Sequence, residues 1–485
     1  MLIGLVSPGQ QDGSFSPEEI ARIAAYWSEP GRYEIAPPAH AATKGPWQVR
    51  LTPEGSKWLW DYYKARGLGK VPPSQVPAAR NPEERVWESW IESRIAYDRW
   101  LAAAKAFEQN RKSVKDLADP GTEPQKPGQI PESLRSLLRE PPSFAAAVEP
   151  KQHTIRFEDA VISLADNPNM RPRYAYYRFA EGVMSGGTPV RSLPERELSK
   201  LFEKAGVGES AQNVMKAVSL LEGGFDAVNT YDTGFVSVGF IQFACLKEGG
   251  GSLGAMLQAY KANWPDEFRR DFRRFGIDVS ADGLLVAVDP ITATVKKGTE
   301  AAAAIIRDKR LISVFQRAGR VSESYRVAQI QTAYKLYYPG NELVTISVGE
   351  RRLSGRVSDI VRSEAGLATL MDRRVNTGNT EPLTPILAEI AAANNIPSFY
   401  DFWQFERDIL AALRYRKDYL ADPSLTQPGP QVHERLAGRS QHVVAERADQ
   451  PALFGDADEF DRADDAACGM TPAHQRLDPG AAVDA

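Results

Sequence analysis

The sequence predicts a mainly helical protein of the α+β class, with a small β-hairpin or sheet set against the end of one helix and a helical N-terminal domain ahead of it. Two observations predict this. Apolar residues recur at three- and four-residue steps through most of the 485 residues, the mark of amphipathic helices. One stretch breaks that period: VNTYDTGFVSVGFIQFA at 228–244 crowds β-branched and aromatic residues around an Asp-Thr-Gly, which reads as short strands and a turn.

The organisation follows from composition along the chain. Residues 1–112 are aromatic-rich and helical in pattern, 113–143 hold many prolines and read as a linker, 144–425 form the large domain, and 426–485 are an acidic tail too poor in apolar residues to order itself. In the first block, Thr52 is the expected N-cap of a helix with Pro53 at its first position and Gly67 past its end. Glu83 to Lys112 reads as one long helix. Trp87, Trp90, Ile91 and Ile95 share a stripe of it, so core packing is the simplest reading and a sugar-stacking or partner-binding face the alternative.

Charge and cysteine content exclude several functions. A net charge of -4 offers no general attraction to nucleic acid or anionic lipid, so no nucleic-acid partner is expected. Cys245 and Cys468 are too few and too far apart for a disulfide framework or a cysteine zinc site, and the five histidines do not cluster. No metal and no cofactor are expected. No segment is apolar enough for a membrane span, and the start MLIGLVSPGQQDGSF does not read as a secretory signal. Cytoplasmic synthesis, with action outside the cell after release or by non-classical export, is therefore the expectation.

The residues that carry chemistry begin with two helices, Pro194–Ala205, with Ser192 near its start, and about 210–222. On the second, Ala211, Met215 and Val218 lie at steps of four and three, and Glu222 comes four after Val218. Its carboxyl therefore continues the buried stripe. Gly223 and Gly224 end the helix. Desolvation and the negative end of the helix dipole both disfavour a bare carboxylate there, which suits a general acid. The following hairpin turns back beside this helix end and brings Asp232 and Ser237 to face Glu222. An acid and a second carboxylate across a groove are the minimum set for hydrolysing a glycosidic bond, and a hydroxyl beside them can hold water.

Glu222, Tyr231, Asp232, Gly234, Ser237 and Gly239 together resemble the phage-type lysozyme pattern of a helix-end Glu, an Asp, then Gly and a Thr. The resemblance implies that Glu222 is the proton donor, Asp232 the second carboxylate and Ser237 the water-positioning hydroxyl. SVGFIQFA is similar to the strand segment of goose-type lysozymes and lytic transglycosylases, with Gly239, Ile241 and Gln242 at the matching places. LATLMDRRVNTGN at 367–379 resembles a helix-end segment of several lysozyme-superfamily and chitosanase members, matched by Asp372, Asn376 and Gly378. The Asp lies one residue further from the Glu than in the phage type, and Ser stands for Thr. A lysozyme-like fold for 144–425 is implied, with peptidoglycan as the polysaccharide and chitosan or chitin as alternatives.

Each candidate also has an ordinary structural reading. Asp232 suits a hairpin turn, Ser237 a polar strand face and Gln242 a hairpin brace. Asp226, nearer the helix end, is a substrate-binding candidate and the alternative second carboxylate. Tyr231, Tyr334 and Asn376 complete the substrate-binding set. Tyr334 belongs to a group with Tyr260, Trp264, Tyr337 and Tyr338, of which at most two are expected to stack on sugars. EGGGSLG at 248–254 lacks the Gly-Lys-Ser/Thr ending of a phosphate loop and reads as a turn before a helix. Arg269, Arg270, Arg273 and Arg274 read as a solvated face over Phe268, Phe272 and Phe275. QPALF at 450–454 resembles a short clamp-docking motif, and a protein partner is expected through the N-terminal block or the tail.

The expected activity is hydrolysis of β-1,4 bonds in peptidoglycan, with lytic transglycosylase or chitosanase-like chemistry on the same fold as alternatives. A catalytically inactive glycan-binding or assembly module is the non-enzymatic alternative.

Overall fold

The computed structural model describes residues 14–37, 47–68, 78–112, 117–413 and 417–429. Beyond residue 429 the expected acidic tail and its QPALF motif lie outside the described residues, as does the start of the chain. About half of the protein is helical, in fifteen α-helices among the described residues, and its strands form small antiparallel sheets. The α+β class expected from the hydrophobic period holds.

The main core is built around the helix Lys309–Val321. Leu311, Ile312, Val314, Phe315 and Ala318 are at most 1% exposed, and Lys309, Ser313, Gln316 and Arg317 are buried as well, so the helix is surrounded on nearly every side. Its buried Lys309, Gln316 and Arg317 side chains each make at least one polar contact. The ammonium of Lys309 bonds the Glu181 carbonyl, Gln316 donates to Ser185 at 2.9 Å, and Arg317 forms a two-pronged pair with Asp159. Glu209–Glu222 packs along Glu364–Thr377, and Glu323–Tyr337 packs on both Gly251–Asn263 and Glu195–Lys204. Ala211, Met215 and Val218 are buried, as their spacing requires.

A second, aromatic core lies between the helices Pro53–Ala65 and Pro82–Asn110 and the segment 174–177. Thr52 accepts the Gly55 N–H and Asn81 the Glu84 N–H, so both helices start on side-chain caps. Trp87, Trp90, Ile91 and Ile95 are all buried here. So are Ile130 and Leu134, from the proline-rich segment; Leu134 lies on a short helix, Glu132–Leu137.

Strand pairing joins residues on either side of that segment. Tyr33–Ala36 pairs with Gln152–Arg156, which continues to Val161–Ala165, and Gln48–Leu51 pairs with Ala145–Val148. Trp27, on the helix Pro17–Ser28, donates to the Phe275 carbonyl at 2.9 Å inside the main core.

Arg66 crosses the second core to meet Glu84 at 2.6 Å and Glu88 at 2.9 Å. Burial by itself raises the pKa of Glu84, but hydrogen bonds from Arg80 and Arg66 outweigh it and hold the carboxyl at about 2, against an ordinary 4.5. A depressed carboxyl stabilises the fold above its unfolded value, and that contribution is lost as pH falls from 4.5 towards 2. We therefore expect acid titration of wild type to show a steep loss of stability in this window. Glu84→Gln should be less stable at pH 7 with a shallower acid limb, as read by urea midpoints at several pH values. Parallel acid limbs would remove Glu84 from the explanation.

The arginine run departs from its expected solvated face. Arg269, Arg270 and Arg274 are exposed, and Phe268, Phe272 and Phe275 are buried, but Arg273 is only 6% exposed. The 3-10 turn at Arg273–Phe275 carries it inward, where Glu19 and Asp278 neutralise it. Cys245 is fully buried and its thiol is pushed up to about 12, chiefly by burial, in keeping with a small core hydrophobe. EGGGSLG leads into the helix Gly251–Asn263.

Candidate functional site

Glu222 is the last residue of its helix and is half-buried. Gly223 ends the helix at φ 131°, a conformation that suits glycine. Gly224 then donates its N–H to the Gly186 carbonyl at 2.8 Å. A side-chain carbon on Gly224 would come within 1.9 Å of the Thr188 carbonyl oxygen, so backbone lies against backbone and sets the position of the helix end.

The helix Glu364–Thr377 supplies a neighbour from far along the chain. Asn376 directs Nδ2 to Glu222 Oε1 at 3.4 Å and to the carbonyl and Oδ1 of Asp372 at 2.9 and 3.3 Å. Gly378 closes this helix in the left-handed conformation. Glu222 thus sits beside the Asp372, Asn376 and Gly378 segment. Buried Tyr337 is close as well: burial, offset in part by a hydrogen bond with Ser252 and reinforced by the negative charge of Glu222, pushes its phenol up to about 12. Beyond Asn376, Arg374 pairs with Glu342 at 3.0 Å.

The expected hairpin is part of a four-stranded sheet made of Met184–Ser185, Val228–Asn229, Ser237–Val238 and Phe243–Ala244. Its register sorts the side chains by face, because directly paired residues point the same way and alternate along each strand. Ser185, Val228, Val238 and Phe243 form one row, whose three apolar members are at most 1% exposed. Met184, Asn229, Ser237 and Ala244 form the other row.

Asp232 lies in the turn above that second row. Its Oδ1 accepts the Gly234 N–H at 2.9 Å and its Oδ2 accepts Asn229 Nδ2 at 2.7 Å. A carbon added to Gly234 would meet Ser237 Oγ at 2.4 Å and Asp232 Oδ1 at 3.2 Å, so the hydroxyl and the carboxylate both crowd the Cα of Gly234. Contacts run from there to Glu222: Ser237 pairs with Ala244, whose N–H reaches Ser252 Oγ at 3.1 Å, and Ser252 bonds Tyr337 beside Glu222. This places a half-buried carboxyl group at the helix end and a carboxylate with a hydroxyl in the turn, linked through buried Ser252 and Tyr337.

The remaining candidates have other surroundings. Asp226 is 2% exposed and gives its oxygens to the Thr188 N–H at 2.6 Å, the Thr188 hydroxyl and Arg320 at 2.8 Å. It therefore ties the loop after Ser185 to the Lys309–Val321 helix. Tyr231 is 4% exposed in the aromatic core. Gln242, at φ 55°, donates to the Gly239 carbonyl at 3.0 Å and braces the turn between the last two strands. Tyr334 is half-buried and stacks on Tyr338 at 5.0 Å, Trp264 is also half-buried, and Tyr260 is fully buried.

Gln329 escaped the sequence reading. Fully buried, it donates to the Phe225 carbonyl at 3.0 Å and accepts the Phe240 N–H at 3.3 Å, and so joins the loop after Glu222 to the hairpin. The available signal was an amide within the apolar period of RVAQIQTAY.

Among the described residues no group of three or more His, Cys, Asp or Glu side chains is placed to hold a metal ion, and no helix is long and apolar enough to cross a membrane. Comparison of the chain with protein-family models, curated proteins and solved structures finds no match.

Proposed function

We propose that this protein is a lysozyme-like glycoside hydrolase that cleaves β-1,4 bonds in peptidoglycan. Glu222 protonates the oxygen of the leaving sugar, while Asp232 and Ser237 hold and activate the water that attacks the sugar carbon as positive charge builds on it. The water proton passes to Asp232, and no cofactor takes part. The observation that supports this is half-buried Glu222 at its helix end within reach of Asn376, with Asp232 and Ser237 held close together around Gly234 in the following turn. The resemblance of 222–239 to phage-type lysozymes points the same way. The protein acts on the wall after release or non-classical export.

One observation favours lytic transglycosylase chemistry as the second reading. Both oxygens of Asp232 already accept hydrogen bonds within its own turn, as a purely structural turn residue would. Glu222 would then serve alone, first as acid and then as base, and the product would end in an anhydro sugar. Mass spectrometry of fragments released from purified cell walls separates the cases. Reducing ends mean hydrolysis, anhydro ends mean transglycosylation, and wall binding without released fragments means an inactive glycan-binding or assembly module.

Asp232→Asn and Ser237→Ala test the water-holding role directly. In the hydrolase each is expected to lower kcat by about a hundredfold with a small change in KM, measured on a soluble muramyl oligosaccharide. Rates at the wild-type level would return both residues to the turn alone.

A further inference from the structure

Arg171 is exposed, yet its surroundings hold it in place. Its guanidinium lies over the Tyr174 ring, 3.8 Å from the centroid, and donates to the Tyr231 hydroxyl at 3.3 Å. That hydroxyl also meets the Tyr174 hydroxyl at 3.3 Å, and both rings are 4% exposed. The Arg171 backbone is pinned too, through its N–H to Asn169 Oδ1 at 3.1 Å. Burial and then the negative charge of Asp232 push both phenols up, so both stay neutral and serve Arg171 as hydrogen-bonding and aromatic partners, not as counter-ions.

Neighbouring arginines are engaged otherwise. Arg173 bonds Glu88 at 2.6 Å, Arg178 donates to the Tyr177 carbonyl at 2.9 Å, and Arg50 donates to the Tyr177 hydroxyl at 3.0 Å. Arg171 forms no ion pair with a carboxylate among the described residues; its contacts are the two phenols and Asn169. Tyr231 directly precedes Asp232, and the charge of Asp232 is felt at both phenols that hold Arg171, so the cation belongs to the same neighbourhood as the second carboxylate.

We infer that Arg171 is a recognition point for a carboxylate carried by the glycan, which makes the substrate an acidic polysaccharide and disfavours a neutral or amine-bearing one. A planar guanidinium held on an aromatic face offers two parallel N–H donors to a carboxylate. The same positive charge repels the ammonium groups of chitosan. The inference rests on the proposed glycan site and deepens it.

Binding measured without turnover tests it. Glu222→Gln protein, with and without Arg171→Gln, is titrated by calorimetry with a muramyl tetrasaccharide bearing free carboxylates, with the same compound amidated, and with a neutral N-acetylglucosamine tetrasaccharide. The free acid should bind tightest, and Arg171→Gln should weaken it by roughly fivefold, the scale of an exposed ion pair, while leaving the other two unchanged. Arg171→Lys should recover part of the loss, and near-ultraviolet circular dichroism should report the same aromatic packing in each variant. If all three sugars bind equally and Arg171→Gln alters none of them, the role of Arg171 is overturned while the glycan site stands. If none binds, the glycan reading fails together with it.

Discussion

Glu222→Gln should give a folded protein that clears cell walls about a thousandfold more slowly than wild type, within the range that a positioned proton donor contributes. Glutamine keeps the length and the acceptor oxygen that faces Asn376 Nδ2 at 3.4 Å, but it has no proton to give the leaving sugar. Stability should change little, within about 0.5 kcal/mol, because the helix end is shaped by Gly223 and Gly224 and the Glu222 side chain is only half-buried. Turbidity of wall suspensions and a thermal melt measure the two effects side by side. Clearing at the wild-type rate by the variant takes the acid role away from Glu222.

Gly224→Ala should lower stability by about 3 kcal/mol, the upper end of the usual cost of overpacking. The added methyl would be driven against the Thr188 carbonyl, and the nearest atoms are backbone, which cannot rotate away as a side-chain tip would. Relief requires the 186–188 loop to part from the helix end. That breaks the bond between the Gly224 N–H and the Gly186 carbonyl and disturbs the Thr188 N–H on Asp226. Urea midpoints should fall for Gly224→Ala and hold within about 0.5 kcal/mol for Gly128→Ala, where an added carbon meets nothing within 4 Å. Equal midpoints would mean that the loop yields freely. Catalysis should suffer as well, since the same contact locates Glu222.

What was legible in the sequence was local. The cap at Thr52, the glycine stop after Glu222 and the Asp-Thr-Gly turn each depend on a few adjacent residues. The helical period placed Trp87, Ile91 and Ile95 inside for a similar reason, since a stripe on one helix reports its own burial. It could not say which core received them.

Asp226 illustrates where local reading stops. Near the helix end it looked like a groove residue, yet Thr188 and Arg320, both distant in the chain, draw its carboxylate inside. Arg273 likewise turned inward because Glu19 lies 254 residues away to receive it. Burying such groups is tolerated only where partners of opposite charge converge, and one strand or helix carries no record of that convergence.

By itself, then, the amino-acid order determined the α+β class, the ends of individual helices and the turn that bears Asp232. Tertiary structure alone decided that Asn376 should meet Glu222 across 154 residues and that Tyr231 should be sealed under Arg171. It also paired strands from either side of the proline-rich segment. The difference is physical: caps, turns and periodicity act over one or two turns of chain, whereas these contacts exist only when packing brings remote surfaces together.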